Sequence, residues 1–227
     1  MPCLIGTGSL MCGSFRMRLP PLALTIVAAL LALGLVARAP DARADRLSSP
    51  ESARLARGET VIREHTWAPG ASARYIGGLT YTVVDASVAE ISNLLEDIES
   101  YRRVLPRTKR VKLVSIEPNG DRLVELVQGT TLVEATYTIR VRYFPAIREV
   151  RFWLETSRPH EIDDAFGYFR VEPFVGPSGE ERALLTYAVL VDIGPGIVRD
   201  LFEDRVRAAL LSVPQLVRRV VAEARHP

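Results

Sequence analysis

The chain has 227 residues, 48% of them hydrophobic and 25% charged, with a formal net charge of +2 and two cysteines. Four arginines (Arg16, Arg18, Arg38, Arg43) against Asp41 give the first 44 residues a charge of +3, so the remainder falls from +2 to about −1. A domain that near neutrality argues against nucleic-acid binding. Both cysteines, Cys3 and Cys12, also precede residue 45, so the rest of the chain has no disulfide, thiolate metal site or cysteine nucleophile.

The front end reads as a targeting segment. Arg16, Met17 and Arg18 precede an uncharged run from Leu22 to Val36. That run is shorter than the ~18–20 apolar residues of a spanning helix. Ala42-Arg43-Ala44 follows as a small-x-small site before Asp45. Residues 1–44 are therefore expected to be a signal peptide with an upstream extension, Met17 being an alternative start. A retained membrane anchor is the other reading. Cleavage would place the protein in the periplasm or outside the cell.

Residues 45–73 form an N-terminal extension of low regularity. Ser49-Pro50-Glu51 combines a cap, a first-turn proline and a first-turn acid, predicting a short helix over 50–57. Trp67-Ala68-Pro69-Gly70 reads as a turn. Tyr75 to Val84 is a strand rich in β-branched and aromatic residues. Ser87-Val88-Ala89-Glu90 is a capping box. The spacing of Val88, Ile91, Leu95, Ile98 and Tyr101 then predicts a helix that ends before Pro106.

The middle of the chain alternates. Val111–Glu117 and Arg122–Gln128 flank Pro118-Asn119-Gly120-Asp121, a tight hairpin turn. From Thr131 to Phe144, Tyr137, Ile139, Val141 and Tyr143 share one face, opposite Thr138, Arg140 and Arg142. Arg148–Thr156, Ala165–Phe174 and Arg182–Ile193 are three further strands. Gly194-Pro195-Gly196 ends the sheet, and a helical stripe runs from Ile197 to Val221 with Pro214 predicted to kink it. This order predicts an α+β plan with helices on one face of a curved antiparallel sheet.

Two stretches carry a resemblance over roughly Tyr75 to Arg225. One is Leu95, Asp97, Tyr101, Leu105 and Pro106. The other runs from Thr186-Tyr187 through Val191-Asp192 and Gly194-Pro195-Gly196 into the final helix. Together with the element order they resemble the START-like, or Bet v 1-like, superfamily, which includes polyketide cyclases and coenzyme Q-binding START proteins. The resemblance implies a helix-grip domain over 74–227, with a curved antiparallel sheet around a long C-terminal helix and a hydrophobic cavity between them. The coenzyme Q group carries Trp-Cys soon after the junction proline. Arg107 and Thr108 stand there instead, which weakens the case for a quinone.

On that fold, Tyr137, Ile139, Val141, Tyr143, Phe152, Phe169, Leu210, Val213 and Val217 are the candidate ligand-binding residues. The expected ligand is a hydrophobic small molecule or lipid, with no cofactor and no nucleic acid. A cyclase/dehydrase-like enzyme using the same cavity is the alternative. Arg102, Arg103, Arg107, Lys109 and Arg110 form a basic cluster that reads as a solvated face or as a transient membrane contact. His160-Glu161-Ile162-Asp163-Asp164 matches no zinc or calcium loop. No nucleophile elbow or Gly-rich phosphate loop occurs.

Overall fold

The computed structural model describes residues 47–225 apart from 71, 132, 177 and 178. The expected signal segment and its cleavage site lie outside the described residues. Among the described residues no helix is long and apolar enough to cross a membrane.

The N-terminal extension is more regular than its sequence suggests. Helix α1 (Ser49–Ala56) starts one residue earlier than expected, with Ser48 as its cap. The Ser48 amide donates to Glu51 Oε2 at 2.8 Å while the Glu51 amide reaches Ser48 Oγ at 3.4 Å. Glu51 completes the reciprocal pair only from that position, so Ser48 wins over Ser49. Strand β1 (Val61–Trp67) follows, in a region expected to be irregular. Its polar residues Arg63, Glu64 and His65 hid it, and it is tolerated because it lies at a sheet edge.

Strand β2 (Tyr75–Val84) leads to α2 (Val88–Glu96), whose Ser87–Glu90 capping box is present as the sequence predicts. The expected single helix to Pro106 is broken. Asp97 is extended and caps a 3-10 turn over Ile98–Ser100, and α3 (Tyr101–Val104) follows. Buried Tyr101 ties the pieces together, donating its hydroxyl to the Leu95 carbonyl at 3.1 Å. Leu105 is extended before Pro106, as the proline ring requires.

Six strands complete the sheet: β3 (Thr108–Ile116), β4 (Arg122–Gly129), β5 (Glu134–Phe144), β6 (Glu149–Leu154), β7 (Asp164–Val175) and β8 (Glu181–Asp192). Their order is β1-β2-β8-β7-β6-β5-β4-β3, with every neighbouring pair antiparallel. Gly77 and Gly78 let β2 pass close to both neighbours. A Cβ there would sit 2.0 Å from the carbonyl oxygens of Val189 and Arg63 respectively.

The C-terminal stripe forms two helices, α4 (Ile197–Leu211) and α5 (Val213–Arg225). The sequence predicts a kink at Pro214; the break falls at Ser212, so that Pro214 sits in the first turn of α5. Proline is acceptable there because that amide needs no intrahelical partner. The Leu211 carbonyl accepts instead from Thr80 Oγ1 at 3.1 Å, pinning the break to β2.

The two faces of the sheet are finished differently. The concave face holds the main core, in which Ile91, Leu95, Val124, Leu185, Val213 and Val217 are buried. The convex face carries a smaller apolar cluster of Val61, Tyr81 and Val83, covered by Leu55 of α1. Beyond it the convex face carries an aromatic group, Trp67, Tyr75 and Phe166, and an ionic patch. Asp121 is fully buried and accepts from Arg142 at 2.6 and 2.7 Å. Hydrogen bonds from Arg142 hold its carboxyl down at about 2, against the opposing effect of burial. Burial pushes Glu149 up, but hydrogen bonds from Arg151 and Arg170 outweigh it and keep that carboxyl below its ordinary value. The same arginines lie over aromatic rings, Arg142 on Trp153 and Arg151 on Phe144, at 5.4 and 4.7 Å.

Candidate functional site: a cavity under the C-terminal helices

Strand register decides which side chains meet on the concave face, because directly opposed residues point the same way. Ile139 faces Leu154, Val141 faces Phe152, and Phe152 faces Gly167. Phe169 faces Tyr187 on β8. Gly167 leaves room for the Phe152 ring, whose Cζ would lie 2.5 Å from a Cβ at that position. Phe152, Phe169 and Tyr187 consequently form an aromatic floor. The Phe169 and Tyr187 rings stack at 4.6 Å, and Phe152 lies 5.9 and 6.2 Å from them.

Above this floor is a cavity of about 50 Å³. Leu210 of α4 and Val213 of α5 form its roof, while Tyr101, Leu105 and Pro106 close one end. Six expected residues therefore surround one cavity: Tyr137, Ile139, Phe152, Phe169, Leu210 and Val213. Val141 and Tyr143 lie instead at a second, more polar cavity of about 250 Å³, beside Glu96, Arg122 and the Asn119-Gly120 turn. Strand β5 is long enough that its inward face spans both. Val217 lines neither and is fully buried in the core.

The polar groups of the grip cavity gather on one side. Tyr137 donates its hydroxyl to Gln128 Oε1. Gln128 Nε2 donates to Thr108 Oγ1 at 2.9 Å and to the Pro106 carbonyl at 3.2 Å. Tyr187 completes the group. Burial drives the Tyr137 and Tyr187 phenols far above their ordinary range, and Tyr187 is pushed further by its neighbour Tyr137. Both stay neutral at physiological pH. Among the described residues no Asp, Glu, His, Lys or Arg lines this cavity, so its wall holds no strong acid–base pair.

Gln128 and Tyr187 are absent from the residues that the sequence pointed to. Gln128 had a signal: it continues the inward series Val124 and Leu126 as a lone polar residue. Tyr187 stands likewise in the series Leu185, Tyr187, Val189, but a tyrosine among apolar residues reads as core.

The basic cluster divides. Arg102, Arg103 and Arg107 are exposed and form no ion pair among the described residues. Lys109 pairs with Glu134, and Arg110 with Glu125 at 3.2 Å. The three free arginines flank Leu105 and Pro106 in sequence, and those two residues line the cavity.

No protein-family model and no curated protein matches this chain. Solved structures do. A STAR-related lipid transfer protein from Xanthomonas axonopodis superposes with a TM-score of 0.56 at 14% identity, covering 72% of this chain and 92% of its own. A START superfamily protein from Mycobacterium smegmatis gives 0.52 at 18% identity, covering 64% and 97%. This chain has the START-like helix-grip fold. A Thermus thermophilus protein shares it, with a TM-score of 0.51 at 15% identity over 64% of this chain and 97% of that one. In this helix grip, the paired α4 and α5 take the place of one gripped helix.

Proposed function

We propose that this protein binds and carries a hydrophobic small molecule or lipid between the sheet and the C-terminal helices, after export to the periplasm or beyond. The observation that carries this reading is the uncharged, apolar cavity roofed by α4. Its wall is almost wholly hydrocarbon and aromatic, and each ligand methylene buried there contributes ~0.8 kcal/mol. A similar fold in a protein named a lipid transfer protein supports it.

The cavity, about 50 Å³, has room for one or two waters at most. A lipid therefore requires the roof to move. Helix α5 is fixed, burying Val213, Pro214, Val217 and Val220. Helix α4 buries only Leu211, at its last residue. Lifting α4 about the Ser212 break exposes little core, breaks the Arg74–Glu203 pair and the Arg207–Thr66 hydrogen bond that tie it to the sheet, and opens the cavity. Arg102, Arg103 and Arg107 lie beside the cavity end, where they would meet anionic headgroups at ~1 kcal/mol each.

The test is direct. Purified protein is extracted with organic solvent for mass spectrometry and titrated with fluorescent sterol and fatty-acid probes. A co-purifying lipid or saturable probe binding is expected. An empty extract together with no binding of either probe overturns the reading.

A further inference from the structure

The proposed function leaves the ligand's chemistry open, and the cavity wall narrows it. Resting on that reading, we infer that the portion of the ligand inside the grip is electrically neutral and presents a hydrogen-bond acceptor, a carbonyl or ether oxygen, to the hydroxyl of Tyr187.

Charge is the first constraint. A buried carboxylate, phosphate or ammonium needs a counter-charge or several hydrogen bonds, because leaving water uncompensated is costly. The cavity supplies neither, since none of its described lining residues is ionised at neutral pH. An anionic or cationic group must stay outside, at the surface. Neutral polar groups are another matter. Both Gln128 amide hydrogens are occupied by Thr108 and Pro106, and the Tyr137 hydrogen by Gln128. That network is closed, and it offers no donor to a ligand. Tyr187 is 3% exposed, and its hydroxyl makes no hydrogen bond among the described residues. Buried tyrosine hydroxyls ordinarily find a partner. Here the remaining donor of the cavity wall is this O–H, and an acceptor on the ligand would satisfy it.

The neutral requirement also fits the arrangement outside. The unpaired Arg102, Arg103 and Arg107 flank Leu105 and Pro106. A charged headgroup held there would leave only the neutral part of an amphiphile within the grip.

Four ten-carbon probes separate the outcomes: n-decane, 2-decanone, decanoate and decylammonium, each displacing a bound hydrophobic fluorophore at neutral pH. We expect 2-decanone to bind at least about tenfold more tightly than decylammonium, and about three- to tenfold more tightly than decane. Tyr187→Phe should erase the preference of ketone over decane. Leu210→Arg places a cation on the partly exposed α4 roof and should raise decanoate affinity at least about fivefold, by roughly the strength of a charge-assisted hydrogen bond. Decanoate could also bind the wild type with its carboxylate outside, on the arginines. Arg102→Ala/Arg103→Ala/Arg107→Ala would then weaken decanoate and spare 2-decanone, in support of the inference. Decylammonium binding as tightly as the ketone, decanoate binding tightly in that triple variant, or an undiminished ketone preference in Tyr187→Phe would overturn it. If none of the four probes binds, the carrier reading itself falls with it.

Discussion

The concave and convex faces of this sheet are built from the same strands and finished by opposite chemistry. The concave face is held mainly by apolar packing, with the Arg74–Glu203 ion pair fastening α4, and keeps a small cavity beneath that helix. The convex face is locked by Leu55 of α1, packed on Val61, Tyr81 and Val83, and by arginines bracing Asp121 and Glu149. Hydrophobic packing is non-directional, so a helix resting on it can be displaced and return. Charge-assisted hydrogen bonds depend on geometry and hold a curved sheet in shape. The difference teaches a division of labour: in the proposed carrier, one face would open while the other holds the sheet in shape.

The largest expected effect tests the rigid face. Leu55→Ala should cost about 2–5 kcal/mol in urea unfolding, because this α1 side chain is fully buried against β1 and β2. Affinity for a hydrophobic probe should not change in the folded fraction. A parallel loss of affinity would show that the two faces are not independent. Next in size is Asp121→Asn, at about 2 kcal/mol near neutral pH. The Asp121 carboxyl is held at about 2 against an ordinary 3.8. Its stabilisation is therefore complete above about pH 4 and is lost as the pH falls through about 2. Wild type and variant should converge in acid, and a gap that persists at about pH 2 would refute the ionic account. The smallest effect belongs to α4. Leu201→Ser changes a side chain that is 65% exposed on α4 and should alter stability by less than about 0.5 kcal/mol. In hydrogen exchange, α4 amides should open well before those of α5. Equal protection of the two helices would remove the basis for a movable roof.

Much of this architecture was legible in the sequence, and the physics of periodicity explains why. Strands β4 to β8 each have one apolar face, so a period of two stands out. The Ser87–Glu90 box marked the start of α2 through local hydrogen bonds alone. What stayed hidden depends on distant partners. Strand β1 is half polar and is a strand only because β2 offers it an edge. The break at Ser212 is fixed by Thr80, over a hundred residues away in sequence. The division of β5 between two cavities followed from where α2 ends, which no local pattern records. Tyr187 looks like core until its missing partner is known. The candidate site was thus readable as an inward face, while its polar side emerged only from the hydrogen bonds.

An eight-stranded sheet that does not close into a barrel leaves β3 with a row of unpaired peptide groups, a template on which a second copy could build a continuous ribbon. The chain contains only two lysines, Lys109 and Lys112, and both are on β3 with Arg110 between them. Two register irregularities, at Thr108/Arg110 and Leu113/Ser115, further distort its ladder. Flexible, strongly hydrated charges on a bent edge make strand-to-strand stacking unfavourable. Part of the basic cluster, Lys109 and Arg110, is thereby accounted for without any ligand: charge at this edge disfavours pairing between copies of the chain.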